Sequence, residues 1–157
     1  MTIRIEPAGT ADLPGVVALL DDARLPAAGI EQHFPAGFFV ARGADGELVG
    51  AAGVEVYGGV GLLRSVVVAP PARGTGLGET LSRAVMELAA ERGVRELYLL
   101  TTSADGYFPR LGFARVARED LPGELDRSEQ LRGACPSSAI AMRTLLEAEE
   151  TGFLPRV

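Results

Sequence analysis

The chain has 157 residues, a net charge of −6 and nearly half its residues apolar; this predicts one globular domain with a proper core and excludes a disordered chain. It has no basic cluster to neutralise a phosphate backbone and no apolar run near the ~20 residues of a membrane helix, so neither nucleic acid nor membrane is an expected partner. One cysteine and one histidine exclude an internal disulfide framework, argue against a metal site and suit the cytoplasm.

Thr2 to Glu6 alternates like a strand and lacks the apolar run of a signal peptide. Thr10 or Asp12 is placed to cap a helix from about Leu13 to Arg24, with Leu13, Val16, Val17, Leu19 and Leu20 on its apolar face and Pro26 beyond its end. A less regular helical segment follows around Ile30 to Phe34. It holds His33, the sole histidine, a candidate general base that beside Phe34 and Pro35 is more often a packing residue. Gly37 to Arg42 reads as a strand, Gly43 to Gly46 as a turn, and Leu48 to Tyr57 as a longer strand. Gly58 to Gly61 turns the chain back into Leu62–Val68, so the first half reads as a β-meander.

The next stretch organises the rest. Val66, Val67 and Val68 form a β-branched run that Pro70 and Pro71 end. Arg73, Gly74, Thr75, Gly76, Leu77 and Gly78 follow, and from Leu77 the period turns helical through Leu81, Ala84, Val85, Leu88 and Ala89 to a stop at Gly93. A strand, a glycine-rich loop and a helix make an anion site, because the first-turn N–H groups point outward and glycines admit a phosphate to the backbone. A nucleotide P-loop is excluded, since Glu79 stands where its lysine belongs. Nor do the glycines keep the G-x-G-x-x-G spacing of a dinucleotide fingerprint.

Beyond the helix, Glu96 to Thr101 is a buried-strand pattern that completes a βαβ unit. Asp105 to Leu111 reads as a short helix ended by Gly112, and Phe113 to Ala117 as a strand. Glu119 to Arg132 is polar, Ala139 to Met142 a last short strand, and Leu145 to Val157 a tail, so a single domain is expected over 1–145 with a C-terminal tail over 146–157.

The spacing Arg73-x-x-Gly76-x-Gly78, joined to Val66–Val68 and to Tyr107-Phe-Pro-Arg-Leu-Gly-Phe113, resembles the acyl-CoA pyrophosphate loop of the GNAT superfamily of N-acetyltransferases. The resemblance implies an α/β fold of GNAT type, a mixed, mainly antiparallel sheet with helices on both faces. It also implies acetyl-CoA as cosubstrate, held by the loop and by the backbone of Val66 to Val68, with transfer to the amine of a small molecule; such proteins often form homodimers. The segments 61–66, 73–78, 97–102 and 135–142 resemble the arsenic-resistance group of that family, which points to an amino-acid-like arsenical as acceptor. General amino-acid or protein acetylation and a silent acyl-CoA-binding module are the alternatives.

Side chains for the chemistry are few. Glu55 and Arg64 fall on one face of the hairpin: directly opposite if the loop is Gly58–Gly61, diagonal if the turn has two residues. Either they form an ion pair on a solvated face, or they serve the acceptor. In the second case Arg64, with Ser65 beside it, grips an acidic group, and Glu55 attracts or deprotonates the ammonium. In the family a tyrosine at the position of Phe108 protonates the leaving thiolate; here the tyrosine, Tyr107, sits one residue earlier, about 100° round on a helix. Thr102 stands where the family often has an asparagine that touches the cofactor arm.

Overall fold

A computed structural model of the chain describes residues 2–102, 106–134 and 139–147. The elements run β1 (Arg4–Pro7), α1 (Leu13–Asp22), β2 (Phe38–Arg42), β3 (Leu48–Tyr57), β4 (Val60–Val68), α2 (Leu77–Glu91), β5 (Glu96–Thr101), β6 (Ala114–Val116) and β7 (Ile140–Leu145). They form one seven-stranded sheet in the order β1-β2-β3-β4-β5-β7-β6. Every pairing is antiparallel except that of β4 with β5, which α2 connects as a crossover.

The apolar patterns decide the layers. Leu77, Leu81, Val85 and Ala89 of α2 pack with Val54, Leu63, Leu97, Leu99 and Met142 on one face of the sheet. Val16 and Leu20 of α1 pack with Phe38, Val40, Ala51 and Val67 on the other. That second face also holds a smaller cluster of Tyr57, Val60, Leu62, Tyr98 and Leu125. The fold is therefore the mixed, mainly antiparallel sheet with helices on both faces that the sequence implied.

Local differences have local causes. Helix α1 ends at Asp22 rather than Arg24, and Arg24 takes a left-handed φ of 60°. Between Gly29 and Pro35 there is room for only one 3-10 turn, Ile30–Gln32, not a helix. Of the expected helix at Asp105–Leu111 the described part is a 3-10 turn, Phe108–Leu111, ended by Gly112. Strand β7 runs on to Leu145, past Met142, because it pairs with β5 along its whole length and with β6 on its other side. The polar stretch is three short turns, Arg118–Asp120, Gly123–Arg127 and Gln130–Ala134. Among the described residues no helix is long and apolar enough to cross a membrane, and no three His, Cys, Asp or Glu side chains gather as a metal would need. Cys135 and the expected tail from residue 148 onward lie outside the described residues.

Candidate active site

Strand β4 is bonded on both sides only at its start. Val60, Gly61 and Leu62 pair with Glu96, Leu97 and Tyr98 of β5, and beyond Leu62 the two parallel strands have no further register. On the other side, β3 follows β4 as far as Gly53 opposite Arg64, then slips so that Ala51 faces Val67. Ser65 and Val66 thus oppose Ala52 alone, a β-bulge in β4. Ser65 carries it at φ 60°, a conformation that costs a non-glycine residue roughly 1–2 kcal/mol. The bulge and the lost pairing open a split between β4 and β5 that leads from Leu62 to Val68, with unpaired backbone on its β4 side.

The wide end of the split meets the glycine loop. Gly74 and Gly76 have φ of 79° and 81°, and a Cβ on either would meet nothing within 4 Å. Their role is backbone conformation and open approach rather than packing. Gly76 is the N-cap of α2 with no side chain bonded to the helix end. The first intrahelical bond joins the Thr80 N–H to the Gly76 carbonyl at 3.1 Å, which leaves the N–H groups of Leu77, Gly78 and Glu79 without an intrahelical acceptor. The side chains hold the loop's shape: Arg73 Nε donates to the Val68 carbonyl (3.0 Å) and Thr75 Oγ1 to that of Ala72 (2.7 Å). Leu77 is buried in the α2 core and Val67 against α1, whereas Val66 and Val68 are half-buried along the split.

Across the split stands Tyr107. A methyl group on Gly78 would lie 3.2 Å from its hydroxyl and 3.7 Å from a methyl of Val68. The Tyr107 hydroxyl is buried and makes no hydrogen bond. Burial, then the charge of Glu79, raise its pKa above the ordinary phenol value. Phe108 instead turns into the α2 core and packs edge-on against Phe113. The one-residue offset in sequence therefore does not carry the tyrosine away from the split. Thr102 follows directly on β5 and is exposed.

The other end of the split is built of side chains. The turn of the hairpin is Gly58–Gly59, with Tyr57 opposite Val60, so Glu55 and Arg64 are diagonal neighbours. They are not on a solvated face: Glu55 is 1% exposed and the Arg64 side chain 0%. Arg64 Nη1 donates to Glu55 Oε2 at 2.7 Å and to the Ala28 carbonyl at 2.9 Å. Its Nη2 reaches the Pro26 carbonyl (3.3 Å) and its Nε the Ser65 Oγ (2.9 Å). An acceptor carboxylate would have to displace these carbonyls to reach the guanidinium. Arg64 and Ser65 are thus bonded within the protein, as are both oxygens of Glu55.

Sequence reasoning missed Tyr57 in this cluster and named His33 without placing it there. The Tyr57 hydroxyl donates to Glu55 Oε1 at 2.6 Å. Burial first, then the bond to Glu55, hold its pKa well above the usual range. Ser128 lies beside the hydroxyl, and the Arg127 guanidinium lies 4.8 Å from its ring centre. His33 Nε2 is 3.4 Å from the Tyr57 hydroxyl and 3.9 Å from Glu55 Oε1. Burial pushes the imidazole pKa down; the Glu55 charge opposes this and that of Arg64 adds to it. Tyr57 carried no signal of its own beyond the period-two register that puts it beside Glu55. His33 had the signal of being the only histidine, and the loop that delivers it was not foreseeable.

A central strand split open beside an uncapped helix N-terminus, with a phenol across the gap, is an arrangement able to hold a phosphate-bearing ligand with its reactive end between strands. Residues 13–113 match the Acetyltransferase (GNAT) family, and the chain belongs to that family. It is 38% identical over 80 residues to an amino-acid acetyltransferase of Ralstonia nicotianae, a match that covers 50% of this chain and 18% of that protein. It is 38% identical over 82 residues to the streptothricin acetyltransferase of Streptomyces lavendulae, covering 48% and 43%. The chain thus spans less than half the length of these relatives. Among solved structures, N-acetylglutamate synthase from Neisseria gonorrhoeae, complexed with coenzyme A and N-acetyl-glutamate, superposes with a TM-score of 0.78 at 22% identity, over 94% of this chain and 36% of that one. A GNAT-family acetyltransferase from Staphylococcus aureus gives 0.77 at 17% identity over 93% and 100%. At these identities the structural likenesses establish the fold alone.

Proposed function

We propose that the protein is an acetyl-CoA-dependent N-acetyltransferase acting on the amine of a small molecule. The single observation that carries the reading is the buried, unbonded Tyr107 hydroxyl set against Gly78 and Val68 at the mouth of the split. A donor left without an acceptor in a protein interior is costly, and a ligand entering the split supplies one. The residues present fit acetyl-CoA. The N–H groups at Leu77, Gly78 and Glu79 and the open backbone at Gly74 and Gly76 would receive its pyrophosphate, and the backbone of Val66 to Val68, which no strand pairs on the β5 side, would receive its pantetheine arm. Acetyl-CoA, when bound, supplies the activated acetyl group.

The chain's own residues then have three tasks. The β4 backbone beside the bulge directs N–H groups at the acetyl oxygen, where charge gathers as the amine attacks. Glu55, the only buried carboxylate among the described residues, takes the proton that the acceptor ammonium must lose. Tyr107, kept protonated by its raised pKa, gives its proton to sulfur as the carbon–sulfur bond breaks. Arg64 holds Glu55 and ties down the 26–28 loop.

The acceptor class we propose is a small amine that also bears an acidic group, as amino acids do; the likeness to an amino-acid acetyltransferase supports it. The finer reading, an amino-acid-like arsenical, rests on sequence resemblance. Thiol release from acetyl-CoA, measured with L-glutamate, L-methionine, an amino-acid-like arsenical and a lysine peptide, tests all of these. Turnover with a free amino acid or its arsenical analogue is expected. CoA binding without turnover on any acceptor would instead make the protein a silent acyl-CoA-binding module.

A further inference from the structure

Glu55 poses a problem for the reading above. Its carboxylate is 1% exposed, so a proton taken up there needs a way out before the next turnover. Arg64 offers none, since a guanidinium does not release its proton in a protein. Ser128 and the Arg127 guanidinium also lie against Tyr57, and neither is a base at neutral pH. The remaining neighbour is His33.

His33 lies between two environments. On one side its Nε2 is 3.4 Å from the Tyr57 hydroxyl, which is 2.6 Å from Glu55 Oε1. On the other side it lines an open cavity of about 200 Å³ with Gln32, Ala36, Gly37, Val56 and Arg92. The cavity exists because β2 begins only at Phe38, opposite Gly53, so the 30–37 loop rather than a strand covers the edge of β3 beyond Gly53. The imidazole side chain is 16% exposed, far more than Glu55.

We propose that His33 is the proton outlet of the acceptor site, carrying the proton from Glu55 through the Tyr57 hydroxyl to water in this cavity. The inference rests on Glu55 as the base proposed above. The steps balance. The ammonium N–H breaks and a Glu55 O–H forms. That proton then passes to the Tyr57 oxygen as the phenol's own proton passes to His33 Nε2, in the tautomer whose other proton is on Nδ1. The imidazolium releases its Nδ1 proton to water in the cavity, and the Nε2–H tautomer this leaves returns to the Nδ1–H form by proton exchange with that water before the next turnover. Tyr57 ends as it began, and no phenolate accumulates. The charged groups acting on the imidazole are Glu55, which favours its cation, and Arg64, which opposes it. Burial disfavours the cation as well, which speeds release at neutral pH.

His33→Ala removes the relay and enlarges the cavity around it, leaving space for a small base from solution. With acetyl-CoA and the fastest of the acceptors above, kcat is expected to fall about 10²-fold, the low end for general acid–base catalysis, while CoA affinity holds. Added imidazole should restore much of the rate and more than pyrazole, an equally sized but much weaker base, and 4-methylimidazole, a stronger base, should also restore it. Wild-type kcat in a folded His33→Ala protein overturns the proposal. So does a loss that imidazole leaves untouched, or one that pyrazole relieves as well as imidazole does, which would be space filling. If the Ala variant does not fold, His33→Gln serves: a normal kcat there overturns the proposal, and a 10²-fold loss with an unchanged Tm supports it. Glu55→Gln separates the two claims. A wild-type rate in that variant sinks the reading of Glu55, whereas its inactivation beside a fully active His33→Ala sinks the outlet alone.

Discussion

The guanidinium of Arg64 gives its bonds to the protein itself, to Glu55, Ser65, Pro26 and Ala28, whereas the loop at Gly76 turns toward solvent backbone N–H groups that no side chain caps. Both regions flank the same strand. One is closed, made of charged side chains from distant segments, and rigid through mutual bonding. The other is open, made of backbone, and shaped by residues that have no side chain. The difference shows what each kind of site depends on. A backbone site is set by local φ values, and a buried side-chain site exists only when several loops have arrived.

The sharpest way to break the comparison is to remove the closed end's charge. Arg64→Ala leaves Glu55 buried without its cation and two loop carbonyls without a donor, so unfolding free energy is expected to fall by about 3–5 kcal/mol, measured by urea denaturation. Lysine should recover only part, because one ammonium cannot reach the separate acceptors that the planar fork serves. A loss below 1 kcal/mol would mean that Arg64 is not holding these loops and is free to meet an acceptor.

Tyr107→Phe sharpens the role of the open end. If the phenol protonates the leaving sulfur, kcat should fall at least about 10²-fold, equivalent to about 2.7 kcal/mol, with CoA affinity nearly unchanged by calorimetry. Thermal stability should hold or rise slightly, since the lost hydroxyl is an unbonded buried group. An unaltered kcat would make Tyr107 a packing aromatic.

Gly76→Val addresses the loop itself. A Cβ there is strained at φ 81° yet meets no protein atom within 4 Å, so the variant should fold, at a cost of about 1–2 kcal/mol. CoA affinity should fall by at least about tenfold, roughly 1.4 kcal/mol, because the branched side chain would stand in the approach that the proposed function gives to the pyrophosphate. Unchanged affinity would remove the loop from the site.

The smallest effect is one of pH. His33 has its pKa lowered on folding, from an ordinary 6.5, first by burial. Above 6.5 both folded and unfolded chains carry it neutral, and its full contribution to stability is present. As pH drops below 6.5 the unfolded chain takes up the proton first, so stability falls, by at most about 1.4 kcal/mol per pH unit. In His33→Gln the slope between pH 6.5 and 5 should flatten. Glu6, lowered by its bond from Arg42, and Asp12, lowered by the Gly9 N–H, act in a separate acid window, below 4.5 and 3.8. An identical slope in variant and wild type would show the imidazole to be unperturbed.

The sequence by itself determined the elements whose signal is local. The limits of β3 and β5 and the start of α2 at Leu77 follow from β-branched runs and from the change of period at the glycines, and the structure places them at those residues. The loop from Arg73 to Gly78 was legible for the same reason, because the constraint at Gly74 and Gly76 is their own backbone conformation. The face shared by Glu55 and Arg64 followed from the period of two, but not their burial, since this depends on loops at 26–30 and 125–130 closing over them. The bulge at Ser65 had no sequence mark, because a serine in a left-handed conformation is tolerated only where the surrounding sheet enforces it. Tyr107 could not be aimed from the sequence: its reach to Gly78 depends on a 3-10 turn rather than an α-helix, and on how that turn sits across the split. His33 stood alone in the sequence. The stretch of the β3 edge that the short β2 leaves to the 30–37 loop gave it both Tyr57 and the cavity, and only the tertiary structure decides what covers a strand edge.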